Sequence, residues 1–382
     1  MTKRIINFGV IGCGLMGREF ASAAARWLHL LDLDFEPRIV AVCDVNPKLV
    51  EWFTSNVPSA KFNTANYREL LAEKDVEAVY CAVPHNLHEQ MYIDIIRARK
   101  HLLGEKPFGI DKKANDAILR EVDKHPDLLV RCSSQFPFYP GAHTLAKWIR
   151  ENQFGRIIEV EAGFWHSSDL NPNKPINWKR TIEANGEYGC MGDLGMHVAH
   201  IPIRSGWMPR CLRAQLVKIV DERPDGKGGT AKCETWDNAI LSCDVETGDQ
   251  KFPMTLSTKR IAPGHGNTWF LRVLGTKKSA EFSTKNPKVI RWMDYSPGGT
   301  QAWQELDLEY HSAYAAITGH IFEFGFCDSM LQMWAAFCDE LCYGKAMRQP
   351  FHCATPQEAA QGHAVFTAAL ESHMTGTVVK IV

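Results

Sequence analysis

At 382 residues the chain exceeds what one ordinary hydrophobic core accommodates, which points to two domains. Its 45% hydrophobic and 23% charged residues are those of a soluble globular protein. The 43 Lys and Arg against 44 Asp and Glu leave a net charge of -1, with no basic field for nucleic acid.

No apolar run is long enough to span a bilayer, and the first residues pass straight into a strand pattern without an apolar leader. A cytoplasmic protein with no membrane or nucleic-acid partner is therefore expected. The 12 cysteines contain no C-x-x-C pair, and most fall in apolar strand-like or helical runs. Such cysteines are expected to act as buried small apolar residues, with Cys13 and Cys190 nearest the candidate sites.

In chain order, the apolar run Ile5 to Ile11 precedes Gly12-Cys-Gly14-Leu15-Met16-Gly17 and then a helix pattern. Strand, G-x-G-x-x-G and helix in succession form a dinucleotide cradle. Gly12 permits the turn, Gly14 lets backbone approach a pyrophosphate, and Gly17 lets helix and strand pack. The helix start at Leu15 and Met16 adds positive potential. The next strand ends at Asp44, whose carboxylate accepts from ribose hydroxyls and repels a 2′-phosphate, so NAD is expected over NADP. An alternative role for Asp44 is to cap the helix that starts at Pro47.

Strand and helix patterns then alternate to about Cys132, which predicts a parallel doubly wound sheet with ligands at its strand ends. Pro84 and His85 lie on one such end, while His88 reads as a capping or packing residue. Glu105-Lys106-Pro107 lies on another. A lysine beside an oxidised nicotinamide feels a like charge, which suits it to proton handling. The cradle domain is expected to span 1–133.

Residues 134–382 read as a substrate-binding and oligomerisation domain. A helix at 141–152 is followed by an alternating strand, 157–166, and a polar loop, 167–175. Then comes Met191-Gly-Asp193-Leu-Gly-Met-His197-Val-Ala-His200. As a helix this stretch sets Asp193, His197 and His200 at i, i+4 and i+7, on one face. Strand patterns at 214–220, 238–245, 253–258, 269–274, 279–283 and 288–293 predict an open, mainly antiparallel sheet. Helices follow at 326–343 and 356–373, with a last strand at 378–382. The spacing Asp193, His197, His200 also suits a metal, but the lysine and dinucleotide motifs already supply the chemistry and no metal is expected. Trp165, His166, Trp178, Tyr188 and His200 are candidate substrate contacts, aromatic faces beside polar groups, although core packing explains the tryptophans as well. Lys179, Arg180 and Arg204 read either as contacts for an anionic group or as solvated charges.

Taken together, Gly12-x-Gly14-x-x-Gly17, Asp44, Pro84-His-Asn-Leu-His88, Glu105-Lys106-Pro107, Trp178-Lys-Arg180 and Gly192-Asp193-x-Gly195-x-His197 resemble the glucose–fructose oxidoreductase/inositol dehydrogenase (Gfo/Idh/MocA) family in order and over nearly the whole chain. The resemblance implies a Rossmann domain joined to an open antiparallel sheet, and NAD-dependent oxidation or reduction of a sugar, glycoside or polyol hydroxyl. It implies Lys106, Asp193 and His197 as the catalytic group, a carbohydrate or polyol partner, and a homodimer or homotetramer. His197 has the intrinsic pKa of a base, with Lys106 and Asp193 assisting. The family's NAD-dependent glycosidases, which oxidise the sugar transiently to allow elimination, are the alternative. His200 stands where the family often has a second Asp, and Gln135 where it usually has Arg.

Overall fold

The computed structural model describes residues 3–309, 311–349 and 351–381. They form two compact units. The first comprises the described residues up to Gly109, Lys113–Phe138 and 311–357; the second comprises Ile110–Lys112, Tyr139–Glu309 and 358–381. The expected division at 133/134 thus meets a chain that returns to its first unit, because the helix at 326–343 packs on that unit's core. Among the described residues no helix is long and apolar enough to cross a membrane.

The first unit is built on six strands, β1 (Arg4–Ile11), β2 (Phe35–Cys43), β3 (Phe62–Thr64), β4 (Ala78–Cys81), β5 (His101–Gly104) and β6 (Val130–Cys132). They pair in parallel in the order β3-β2-β1-β4-β5-β6. The short β3 was not expected from the sequence: Phe62-Asn-Thr64 is too brief to show a period. Helices Leu15–Ala25, Pro47–Asn56, Tyr67–Ala72 and His88–Arg97 fill the first four crossovers.

Helix Phe326–Tyr343 adds to this core. From Ser329 to Asp339 every residue is buried, so no polar face marks it as a surface helix. Trp334 lies 3.6 Å from Phe20, centroid to centroid, and meets Tyr80 and Phe8 edge-on at 4.9 and 5.6 Å. Arg131 at the end of β6 forks onto Glu340 of the same helix.

The second unit holds a nine-stranded sheet in the order β16-β15-β14-β13-β7-β12-β11-β8-β17. Its strands are β7 (Ile157–Trp165), β8 (Pro209–Val217), β11 (Asn238–Thr247), β12 (Gln250–Lys259), β13 (Thr268–Gly275), β14 (Lys278–Ser283), β15 (Val289–Asp294), β16 (Gln304–Asp307) and β17 (Val379–Lys380). A separate two-stranded ribbon, β9 (Glu222–Pro224) with β10 (Thr230–Lys232), leaves the main sheet. Only β7 and β12 run parallel; the other pairs are antiparallel. Within the expected last strand, Val382 lies outside the described residues.

The register sorts the two faces. Ile290, Phe282, Leu271, Ala162, Leu256, Leu241 and Ala214 stand side by side across seven strands, and all are buried. Helices Pro140–Arg150, Cys190–Arg204 and Pro356–Thr375 pack on that face. The next row reads Arg213, Ser242, Thr255, Glu161, Arg272, Glu281, Arg291 and Glu305. Arg272 pairs with Glu161, and Arg291 with Glu281 and Glu305. This is the hydrophobic-in, polar-out alternation of an antiparallel sheet with one open face.

The aromatic cluster on Trp334 yields a stability test. Trp334→Ala should cost about 3–5 kcal/mol in urea unfolding, the range for removing a buried tryptophan. A loss below about 1 kcal/mol would detach the helix from the nucleotide unit's core.

Candidate active site

In the first unit the register brings four strand ends level. Ile11 is opposite Cys43 and Cys81, and Cys81 is opposite Gly104, so residues 12, 44, 82 and 105 leave the sheet together. This row straddles the point between β1 and β4 where the strand order reverses, the place where open α/β sheets bind ligands.

The three glycines differ in what surrounds them. Gly12 has φ +93, and a Cβ there would strike the Ala82 carbonyl; a Cβ on Gly17 would strike the Gly12 carbonyl. Around Gly14, by contrast, a Cβ would meet nothing within 4 Å. Two glycines therefore close the turn, and the third leaves room beside the start of helix Leu15–Ala25. Those features fit a diphosphate approaching backbone and helix N-terminus. Leu15 is exposed and Met16 half-buried at that start.

Asp44 is held by the same turn. Its two carboxylate oxygens accept from Cys13 N and Asn46 N, each at 2.8 Å. The cap of helix Pro47–Asn56 is Asn46, whose side chain accepts from Lys48 N, so Asp44 is not the capping residue. The fixed carboxylate suits a ribose at the end of β2. Burial and the Asp44 charge push the Cys13 thiol up to about 12, which leaves it a packing residue.

The loop carrying Lys106 is pinned on both sides. Tyr92 Oη donates to Glu105 O at 2.8 Å, and Asn115 Nδ2 to Phe108 O at 2.8 Å. His88 lies between two loops: Gly109 N donates to its Nδ1 at 3.4 Å, and its Nε2 bonds Val83 O at 3.1 Å. Those partners assign a neutral imidazole protonated on Nε2. His88 thus positions the Lys106 loop, and His85 is buried 5.4 Å from it, ring to ring. Glu105 is buried, and Tyr80 Oη donates to its Oε1 at 2.8 Å. Its carboxylate is thereby tied to the core of the unit. Lys106 itself is half-buried, and the Lys106–Pro107 peptide is cis.

In the second unit, helix Cys190–Arg204 is buried along nearly its whole length. A Cβ on Gly195 would enter the Phe366 ring, so the glycine sets how closely helix Pro356–Thr375 approaches. Asp193 and His197 lie one turn apart. Both Asp193 oxygens accept from Lys179 Nζ at 2.9 Å, and Arg260 Nε stands 3.5 Å from Oδ2. The His197 ring meets Phe164 edge-on at 5.7 Å, and its main-chain oxygen accepts from Trp269 Nε1 at 2.8 Å.

Strand parity separates the candidate substrate contacts. Phe164 and His166 share a face of β7, and the rings of Phe164, His166 and His197 cluster there. Trp165 projects to the opposite face, where it meets Phe270 and His265 at 4.9 Å. It is therefore no neighbour of Asp193 or His197, because adjacent strand residues alternate sides. Tyr188 is buried behind the helix: its hydroxyl accepts from Lys112 N at 3.0 Å and bonds Thr367 Oγ1 at 2.7 Å. It is a packing residue. His200 is fully buried with Nε2 at 3.9 Å from Glu358 Oε2, the carboxylate that Arg204 grips by two bonds of 2.7 Å. Trp178 is half-buried beside the Lys179 ammonium, 5.6 Å from ring to nitrogen.

Of three buried arginines here, the sequence reading left Arg180 open and missed Arg223 and Arg260. Arg180 is fully buried between Asp169, at 2.7 Å, and Asp237. Arg223 donates to the carbonyls of Asp169 and Asn171 at 2.6 and 2.7 Å, and to that of Lys174. Arg260 donates to Lys179 O, Asn185 Oδ1 and Gly189 O at 3.0–3.2 Å. Neither Arg180 nor Arg204 is a solvated charge. Together these side chains fix the 167–189 loop that precedes the helix. Nothing in the local sequence marks them, since Arg223 and Arg260 reach the loop from a distant strand and strand end.

His166 supplies a pH test. Burial lowers its pKa to about 4; Asp193 opposes the shift while Lys179 and Arg260 add to it. A pKa below the ordinary 6.5 means that stability is complete above pH 6.5 and is lost as the pH falls through 6.5 toward 4. His143 is lowered likewise, so the variant comparison isolates His166. In urea unfolding, His166→Gln should reduce the loss between pH 7 and pH 4.5 by about 1–2 kcal/mol. An unchanged slope would place His166 in water.

Residues 6–131 match the GFO_IDH_MocA family, described as an oxidoreductase family with an NAD-binding Rossmann fold. A levoglucosan dehydrogenase of Pseudarthrobacter phenanthrenivorans is 25% identical over 225 residues, covering 59% of this chain and 57% of that protein. The glucose-6-phosphate 3-dehydrogenase of Bacillus subtilis is 22% identical over 291 residues, covering 75% of this chain and 77% of the relative. Among solved structures, levoglucosan dehydrogenase in its apo form shares the fold with a TM-score of 0.88 at 19% identity, over 99% of each chain. Its complex with NADH and L-sorbose superposes with a TM-score of 0.87 at 19% identity, over 99% of each chain. The nucleotide unit, over residues 6–131, carries the NAD-binding Rossmann fold of the Gfo/Idh/MocA oxidoreductase family, and its cofactor is NAD.

Proposed function

We propose that the protein is an NAD-dependent dehydrogenase acting on a hydroxyl of a sugar, glycoside or polyol. Lys106, Asp193 and His197 are proposed as its catalytic group. The observation that carries this reading is the buried helix turn of the second unit, where a carboxylate compensated by Lys179 sits one turn from an imidazole. A buried carboxylate and imidazole are costly to keep unless they serve chemistry or a network. The names of the relatives, a levoglucosan dehydrogenase and a glucose-6-phosphate 3-dehydrogenase, support a carbohydrate substrate.

Oxidising a carbinol requires that the hydroxyl lose its proton as the carbon loses hydride. His197 takes the proton, since an imidazole works near neutral pH. Lys106 donates a hydrogen bond to the reacting oxygen and stabilises the charge that develops there. Asp193 fixes the polar surroundings of His197. When bound, NAD supplies the hydride acceptor. Gly12, Gly14 and Gly17 would hold its diphosphate, and Asp44 its ribose, with Leu15, Met16, Pro84 and His85 alongside. The Asp44 carboxylate repels a 2′-phosphate, which favours NAD over NADP.

We further propose a homodimer or homotetramer formed through the open face of the nine-stranded sheet, as a cytoplasmic enzyme. The alternation of Arg and Glu along that face supports pairing of like surfaces. Light scattering of the purified protein should give a mass of at least twice 43.1 kDa.

The deciding experiment follows NADH absorbance with a panel of sugars, glycosides and cyclitols, together with product analysis. Net NADH with the aglycone intact is expected, and His197→Ala should lower kcat by about 10²- to 10⁴-fold. Aglycone release without net NADH would make the protein a redox-assisted glycosidase. Near-normal turnover by His197→Ala would remove the base assignment.

A further inference from the structure

The Lys179–Asp193 ion pair is more elaborate than neutralising a carboxylate requires. Arg260 is fully buried and already stands 3.5 Å from Asp193 Oδ2. Lys179 adds a second cation and makes both of the short contacts, at 2.9 Å.

The backbone beneath that ammonium is fixed from three directions. Asn177 Oδ1 accepts from Lys179 N at 3.0 Å, and Lys179 O accepts from Thr235 Oγ1 at 2.8 Å and from Arg260 Nη1 at 3.0 Å. Lysine is a flexible side chain, and holding it this way removes much of the entropy it would lose on contacting a ligand. Yet the side chain is 37% exposed while its Asp193 partner is 2% exposed. The carboxylate is the buried anchor, and the ammonium is the end offered to solvent beside the Trp178 ring.

The neighbouring cations of this unit are committed elsewhere. Lys174 bonds Asp169 at 2.9 Å, Arg180 is held by Asp169 and Asp237, and Arg204 by Glu358. An anionic substituent would have to compete with a carboxylate for any one of these cations. A neutral hydroxyl oxygen asks only for a donor.

We infer that Lys179, aimed by Asp193, donates a hydrogen bond to a hydroxyl oxygen next to the carbon that is oxidised, and that the substrate is an uncharged polyol. This makes Lys179 a specificity-determining residue, and it rests on the dehydrogenase reading proposed above. Asp193 sets the direction of the ammonium, with Arg260, His166 and His197 as the other polar groups around that carboxylate. A sugar phosphate or sugar acid gains nothing from the arrangement.

The test uses the full-length protein with NAD and D-glucose, levoglucosan and myo-inositol. Monodeoxy derivatives and a phosphate ester of the best of these follow. Wild-type kcat/KM should fall at least tenfold on one monodeoxy derivative and at least tenfold on the phosphate ester. Lys179→Met should lose about 10- to 100-fold on the parent sugar, mainly in KM, but lose little more on that one derivative. Lys179→Arg should recover part of the loss. A Lys179→Met penalty equal on the parent and on every deoxy derivative would reduce Lys179 to a structural role. Faster turnover of the phosphate ester than of the parent would overturn the neutral-substrate inference. The wild-type comparison of derivatives stands even if Lys179→Met does not fold. No NADH from any sugar in the wild type would instead overturn the dehydrogenase reading, and the inference with it.

Discussion

The buried Asp193 carboxylate is the constraint around which the second unit is organised. A carboxylate taken out of water is costly unless cations and donors meet it. Here Lys179 and Arg260 meet it from a short turn and from the end of β12. Those cations need fixing in turn, and Thr235, Asn185 and the carbonyls of Lys179 and Gly189 do this. One ionised group on a helix therefore dictates the conformation of the loop before it and the strand end beside it. Arg180 and Arg223 extend the same logic to 169–177, where guanidinium groups bind carbonyls and carboxylates that would otherwise lie unsatisfied.

The nucleotide unit is organised differently, by steric limits rather than by charge. Its glycine turn is closed at Gly12 and Gly17 and open at Gly14, and Asp44 braces it by accepting from Cys13 N. Behind the sheet, Phe8, Phe20, Tyr80 and Trp334 form one aromatic cluster. Tyr80 then reaches Glu105, and Tyr92 reaches the Glu105 carbonyl, so the core is hydrogen-bonded to the strand end that carries Lys106. Packing and the placement of a functional lysine are continuous in this unit.

How much of this is legible in the sequence depends on how local the cause is. The strand–glycine–helix succession, the parallel sheet and the antiparallel strands of the second unit all follow from patterns a few residues long. The orientation of Trp165 was legible too. Counting by two along β7 sets it with Glu161 and apart from Phe164, and the sequence reading grouped it by proximity instead of parity. Tyr188 and His200 were misjudged for another reason. A polar or aromatic residue beside a motif looks available, and only the distant helix Pro356–Thr375 reveals that it is already engaged. The allegiance of helix Phe326–Tyr343 to the first unit was likewise invisible, because periodicity announces a helix and not the core that receives it. Lys179 was visible only as part of a triplet; its link to Asp193 is tertiary.

The alternation of Arg and Glu across the open face has a consequence for how the sheet assembles. Arg213, Glu161, Arg272, Glu281 and Arg291 occupy one row, and the adjacent row is wholly apolar. Side chains switch faces at every residue, so sliding any of these strands by one position would drive its charges beneath the helices and expose its apolar residues. From β7 to β16 the correct register also sets opposite charges directly across from one another, at Glu161, Arg272, Glu281, Arg291 and Glu305. The exterior thereby polices the alignment of the interior: a misthreaded sheet is penalised twice, once in water and once in the core.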